Sequence, residues 1–327
     1  TLLGYLQLQN NLLERARNTT QSLLKNYPNK VEILQLAGEL SIKLGQIDDA
    51  ETLFRQALHL DEKFRPALLS LAGISLNQND SNKTELYYQA LLTFYPSDAL
   101  ALQLYADLAI KHQRPFLAIK LLSQISNKHS QFVASQRALL ALYMQTNQLQ
   151  LAEQTLAELE QRFSFDQQLL LAKSELLTKQ GNSLSAAKTL KILFGLVYDE
   201  PKKIERIIAL QINLADLPSA ERSIERLTQL TQGQVNPYIT AQYALANNEL
   251  TKAEMIITSY LASSANSIEQ NVAWAELNVH LLIAQQKLAV ASTELALLYK
   301  KSKQRPHMQL LAQLYTHQEP QGDLLQL

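Results

Sequence analysis

The sequence predicts an all-α protein, a solenoid of about nine to ten helix-turn-helix repeats of 34 residues, and two observations carry that expectation. Turn residues are scarce, with 8 Gly and 9 Pro in 327 residues, against usual frequencies of roughly 7% and 5%. Little of the chain can therefore be spent in loops. Small residues also recur at a fixed step. Ala16, Ala50, Ala118, Ala152, Ala186 and Ala220 lie on one ladder of 34 residues, with Thr84 in its only gap. Self-similarity at such a period is the mark of stacked supersecondary units, each burying its apolar face against the next.

The ladder belongs to the second helix of each unit. Four residues further on stands the column Phe54, Tyr88, Leu122, Leu156, Leu190 and Ile224. Three beyond that stand Ala57, Leu91, Ile125, Leu159, Leu193 and Leu227. Offsets of four and three place all of these on one helical face. The first helix follows the same logic. Leu34, Leu68, Leu102, Leu170 and Ile204 share a column broken only by Gln136, and Gly38, Ala72, Ala106, Leu140, Ser174 and Ile208 form the next.

Between the two helices the chain reads Gly45, Asn79, Gln113, Asn147, Gly181 and Ala215. Gly and Asn tolerate the positive φ of a tight helix-to-helix turn. Asp48 is expected to cap the second helix of its unit. After Ala220 the ladder slips, with Ala253 33 residues on and Ala291 another 38. The added length is expected in a longer loop over Leu261–Gln270, where Ser263, Ser264, Asn266 and Ser267 cluster, with a bend rather than a domain boundary. The organisation expected is a solenoid over 1–262 whose first repeat is partial, a divergent continuation over 263–317 and a frayed tail over 318–327.

The best unit, Val31 to Lys63, carries Leu34, Gly38, Gly45, Ala50, Phe54 and Ala57. A 34-residue hairpin with small residues at its eighth and twentieth positions resembles the tetratricopeptide repeat. The likeness covers roughly residues 1 to 300 and departs at the terminal proline, where Glu62 stands. It implies a right-handed superhelix whose first helices line a concave groove, with a partner peptide or protein contacting their fifth and ninth positions. Carried over by phase, the candidate partner-binding residues are Gln35, Glu39, Gln103, Asp107, Arg137, Glu175, Glu205, Tyr238 and Gln242, interleaved with Leu69, Gly73, Ala141, Leu171 and Ala209. Lys43, Lys111 and Lys179 recur at the thirteenth position. The Lys and Asn with which one branch of the family grips C-terminal carboxylates are missing from these places, which argues against a chaperone-tail clamp.

Nothing in the sequence forms a catalytic constellation, so the expectation is a non-enzyme without cofactor or metal. With no Cys there is no thiolate ligand, Cys nucleophile or disulfide. The six His residues, 59, 112, 129, 280, 307 and 317, pair with no other His or Glu at metal-ligand spacing and read as solvated surface side chains. Ser185-Ala186-Ala187-Lys188 matches the Ser-x-x-Lys pattern formally but straddles the ladder alanine. The sequons at Asn18 and Asn82 fall inside the ladder, and Lys300, Lys301, Lys303 and Arg305 read as cations at a helix C-terminus. Trp274, read as opening a first helix, is assigned to packing.

Charge is balanced at 30 basic and 30 acidic residues, which disfavours nucleic acid as partner. No apolar run approaches the roughly 18 residues of a membrane span. Thr1 reads as the start of a processed chain or fragment whose targeting segment, if any, lay upstream. The absence of Cys favours an exported bacterial protein of the periplasm or envelope, with the cytoplasm as alternative. The leading functional expectation is a protein-interaction scaffold in an envelope or polysaccharide-export assembly. The alternatives are the recruiting arm of a larger enzyme, such as a glycosyltransferase, and an RNA-reading helical repeat, which the neutral charge disfavours.

Overall fold

The computed structural model describes residues 1–125, 127–128, 132–262, 268–302 and 305–317, and among them it contains nineteen α-helices and no strand. The chain divides into two compact units, Thr1–Ser164 and Phe165–Leu327. The first unit stacks five helical hairpins: α1 (Leu2–Gln9) with α2 (Leu13–Asn26), α3 (Val31–Lys43) with α4 (Ile47–Leu60), α5 (Arg65–Asn77) with α6 (Ser81–Phe94), α7 (Ala99–Lys111) with α8 (Pro115–Leu122), and α9 (Phe132–Gln145) with α10 (Leu149–Arg162). The second unit stacks four: α11 (Gln167–Lys179) with α12 (Ser183–Leu196), α13 (Pro201–Asn213) with α14 (Leu217–Leu230), α15 (Pro237–Ala246) with α16 (Leu250–Ala262), and α17 (Ile268–Ala284) with α18 (Leu288–Ser302). A single helix, α19 (Arg305–His317), packs on α18. Each unit is thus an all-α solenoid segment of helix-turn-helix repeats.

Every hairpin closes in the same way. The turn column adopts positive φ throughout: 76° at Gly45, 60° at Asn79, 55° at Gln113, 59° at Asn147, 77° at Gly181 and 56° at Ala215. The same conformation recurs at Asn11, Asn248 and Gln286, each five residues before a small ladder residue at 16, 253 and 291. Around Gly45 the Gln46 amide donates to the Ser41 carbonyl at 2.8 Å and the Gly45 amide to Ile42 at 3.0 Å. This Schellman closure satisfies carbonyls that the end of α3 would otherwise leave open.

Ala215, like Gln113, is a costly member of the column, because an exposed Cβ in the left-handed region gains no packing in return for its steric strain. Ala215→Gly should therefore stabilise the protein by about 1 kcal/mol, read as a higher urea midpoint. A lowered midpoint would mean that the methyl group makes a contact the fold needs.

The residue after each turn is the N-cap of the second helix. Asp80, Asn182 and Asp216 accept there from the amides of Lys83, Ser185 and Ser219. Asp48 does not cap α4. Its N-cap is Gln46, which makes no side-chain cap bond, and Asp48 is the second residue inside the helix, where its charge still complements the N-terminal dipole.

The ladder is the crossing line of the hairpins. Ala16, Ala50, Thr84, Ala118, Ala152, Ala186, Ala220, Ala253 and Ala291 all have 0% exposure. The columns beside it are buried too, apart from Ile224, which is half-buried. On the first helix Gly38 faces the Phe54 ring so closely that a Cβ there would lie 2.4 Å from Cε1. Successive first helices are also tied at their N-termini. Arg65 at the start of α5 donates to Asp98, the N-cap of α7, and Gln167 at the start of α11 reaches Glu200, the N-cap of α13.

Burial pushes the Asp98 carboxyl up, but hydrogen bonds from Arg65 and the Ala101 amide outweigh it, so its pKa is lowered. A folded pKa below the unfolded one stabilises above the ordinary carboxylate value and is lost as pH falls through the folded value. Wild type should therefore lose stability from about pH 4 downward. Asp98→Asn, followed by thermal melting between neutral and acid pH, should show a flatter decline; an identical decline would assign the acid sensitivity to other carboxylates.

The slips in period have a helical origin. Six residues, 231–236, separate α14 from α15 where 61–64 separate α4 from α5, and α15 is 10 residues long where α3 is 13. Pro237 fixes this late start, since Asn236 before it is held out of the α region. The added length beyond Ala253 lies within α17, which has 17 residues, rather than in the longer loop expected from sequence. Ser263, Ser264, Asn266 and Ser267 themselves lie outside the described residues, as does the 318–327 tail. Trp274 accordingly sits seven residues into its helix instead of opening it.

Candidate functional site

The fifth and ninth positions of the first helices are brought onto one face within each unit, but they differ in what they expose. On α3, Gln35 is buried at 3% exposure, contrary to its assignment as an open groove residue. Its Nε2 donates to Glu39 Oε1 at 2.9 Å and to Ser70 Oγ on α5 at 3.0 Å, because the next hairpin stacks over it. Its Oε1 has no hydrogen-bond partner. On α7 the same amide–carboxylate pair recurs, with Gln103 donating to Asp107 at 3.0 Å and its own buried Oε1 left without a donor. Asp107 is exposed, and Glu39 and Gln103 are half-buried.

Arg137 on α9 turns its guanidinium over the Phe163 ring, 5.4 Å from the centroid. Beside it lies a cleft of about 460 Å³ between α9 and the end of α10, lined by Phe132, Val133, Gln136, Leu159 and Arg162. Arg162 sits over Phe132 at 5.8 Å. Ile125, Asn127, Glu158 and Gln161 complete its lining, so its walls mix apolar and polar side chains.

In the second unit Glu175 on α11 accepts from Arg206 on α13 at 2.6 Å, and Glu205 is half-buried. Tyr238 is a packing residue more than a free platform. Its ring meets Trp274 edge-on at 5.1 Å, and Trp274 in turn stacks on Tyr260 at 4.0 Å. Burial first, then Glu276, raises the Tyr238 phenol pKa, while a hydrogen bond from Gln242 opposes the shift.

Two groups on these faces were missed from sequence. Tyr5 of α1 stands 34 residues before Glu39 and so occupies the ninth position; counting back one period would have found it. Burial, followed by the Glu39 and Glu32 carboxylates, pushes its phenol up to about 12. His307 is not a solvated histidine. It is 5% exposed on α19, with Nε2 2.5 Å from Glu276 Oε1. Its helix lacks the repeat pattern, so no phase argument could place it. His129, Lys303 and the side chains of Lys301, Arg305 and His317 lie outside what the structure describes.

Among the described residues no three His, Asp or Glu side chains group as metal ligands, and no helix is long and apolar enough to cross a membrane. Ser185 and Lys188 flank the fully buried Ala186 at the start of α12, where the Ser185 amide is engaged in the cap.

No family model and no curated protein matches the chain. Solved structures do. The Cut9–Hcn1 hetero-tetramer of APC/C aligns over 91% of this chain and 59% of that chain, at 15% identity and a TM-score of 0.50. A tetratricopeptide repeat protein from Parabacteroides merdae ATCC 43184 covers 88% and 98% respectively, at 14% identity and a TM-score of 0.49. YrrB, a TPR protein with an unusual peptide-binding site, covers 54% and 91%, at 11% identity and a TM-score of 0.47. Likeness at this level of identity concerns architecture alone. With 34-residue hairpins, left-handed turns and small residues at every crossing, the chain has a fold of the tetratricopeptide-repeat type.

Proposed function

We propose that this chain is a non-catalytic interaction scaffold that holds a protein or peptide partner on the faces of its first helices. The observation that carries the reading is the division of labour between columns. Ladder and neighbouring columns bury the apolar residues that stability requires. Glu39, Gln103, Asp107 and Glu175, by contrast, stand in register at the fifth and ninth positions, where packing calls for no acid or amide. Repeat arrays present such faces as extended binding surfaces.

A bacterial envelope or export assembly in the periplasm is the setting we favour, since a chain without Cys suits an oxidising compartment. The same faces would serve as the recruiting arm of a larger enzyme. A photo-crosslinking residue at Leu69 on α5, compared with one at the exposed Phe116 on α8, tests the reading in cells. A protein captured from position 69 and not from 116 is the expected result. Capture from Phe116 alone would move the binding surface to the second helices.

A further inference from the structure

The ninth and thirteenth positions alternate with a period of two repeats. Successive first helices carry Glu39, Gly73, Asp107, Ala141, Glu175 and Ala209 at the ninth place, and Lys43, Asn77, Lys111, Gln145, Lys179 and Asn213 at the thirteenth. An acid followed one turn later by Lys therefore alternates with a small residue followed by an amide. The core columns do not share this 68-residue rhythm, so packing of the hairpins does not require it.

The structure shows what the acids lack. Glu175 is neutralised by Arg206, 31 residues on, from the next first helix. The residue 31 places after Glu39 is Ser70, and 31 after Asp107 stands Ala138. Glu39 and Asp107 have no cationic partner among the described residues; each takes only the amide of its own Gln35 or Gln103. Lys43 and Lys111, one turn along, are exposed at the helix ends and bridge neither. Gln35, almost wholly buried, keeps a carbonyl oxygen without a donor beside the Glu39 carboxylate. Between the two acids α5 offers half-buried Leu69 and Gly73, where a Cβ would find nothing within 4 Å.

We infer that the face formed by α3, α5 and α7 binds an extended basic peptide, with one Lys or Arg on Glu39, another on Asp107, and a small or apolar residue over Leu69 and Gly73. Neighbouring helices lie about 10 Å apart, so α3 and α7 are about 20 Å apart, the span of about six residues of extended chain. Arg137, on the next first helix, places a cation beyond Asp107. Ion pairs supply register and orientation here, and their strength should fall with added salt. The inference rests on the scaffold reading and specifies the partner's chemistry.

Panning a phage-displayed random dodecapeptide library against the whole chain tests it. Wild type should enrich pairs of Lys or Arg at about the six-residue spacing. Glu39→Gln with Asp107→Asn, at an unchanged melting temperature, should weaken a synthetic peptide of that pattern at least about tenfold in fluorescence anisotropy. Asp107→Lys, at an exposed position, should turn the selection toward an acidic residue at one end. Enrichment of neutral or acidic peptides that compete for the Leu69 face, indifferent to these variants, overturns the basic-peptide inference and leaves the scaffold standing. Enrichment of nothing that depends on the first helices overturns both.

Discussion

Phe54→Ala should destabilise the first unit by about 3–5 kcal/mol, the usual cost of emptying a fully enclosed aromatic site. The ring has 0% exposure and lies among Leu34, Ala50, Ala57, Ala67 and Leu71, so its loss leaves a void that two hairpins share. Gly38 makes the site self-testing. A methyl there would stand 2.4 Å from the ring, so Gly38→Ala alone should cost about 1–3 kcal/mol by overpacking. In the double variant the methyl enters the space the ring vacated, and the combined cost should fall well below the sum. Chemical unfolding followed by circular dichroism measures all three. Additive costs would mean that the two residues do not share one volume.

Trp274→Ala should have an effect of similar size in the second unit, about 3–5 kcal/mol. Trp274 is 4% exposed and packs with Leu277, Leu281 and Ile257. Its face-on contact with Tyr260 and edge-on contact with Tyr238 add about 0.5–1.5 kcal/mol per pair beyond the area buried. As the sole Trp, it also reports on itself: emission should be blue-shifted in the folded protein and move to the red as this region opens. Trp274→Phe should fall between wild type and alanine. An alanine variant that melts with wild type would show that α15–α17 are held by the remaining aliphatic contacts.

The fold was legible in the sequence because each repeat needs the same few things. A crossing of two helices needs a small side chain, which gave the ladder at 0% exposure. A tight turn needs a left-handed residue, which gave the Gly45 to Ala215 column at positive φ. These requirements are local to one hairpin and its neighbour, so they repeat with the period and can be counted. Asp48 misled for the same reason: an acid near a helix start is a general signal, but the turn conformation at Gly45 fixes the N-cap at Gln46.

The site was legible only in outline. Phase placed Gln35, Glu39, Gln103 and Asp107 on first helices of their hairpins, where the structure has them, yet burial and pairing are properties of the neighbouring hairpin and do not follow from a residue's own position. Gln35 is enclosed because Ser70 comes across to it; Glu175 is neutralised because Arg206 does the same. Glu39 and Asp107, at the same phase, meet no such cation among the described residues.

By itself the sequence determined the helices, their turns and their crossing line, since periodic backbone and packing demands leave periodic residues. Which of the described carboxylates stand uncompensated, that Tyr238 packs against Trp274, and that His307 pairs with Glu276 were decided by tertiary structure, because side chains 30 or more residues apart meet only once the hairpins have stacked.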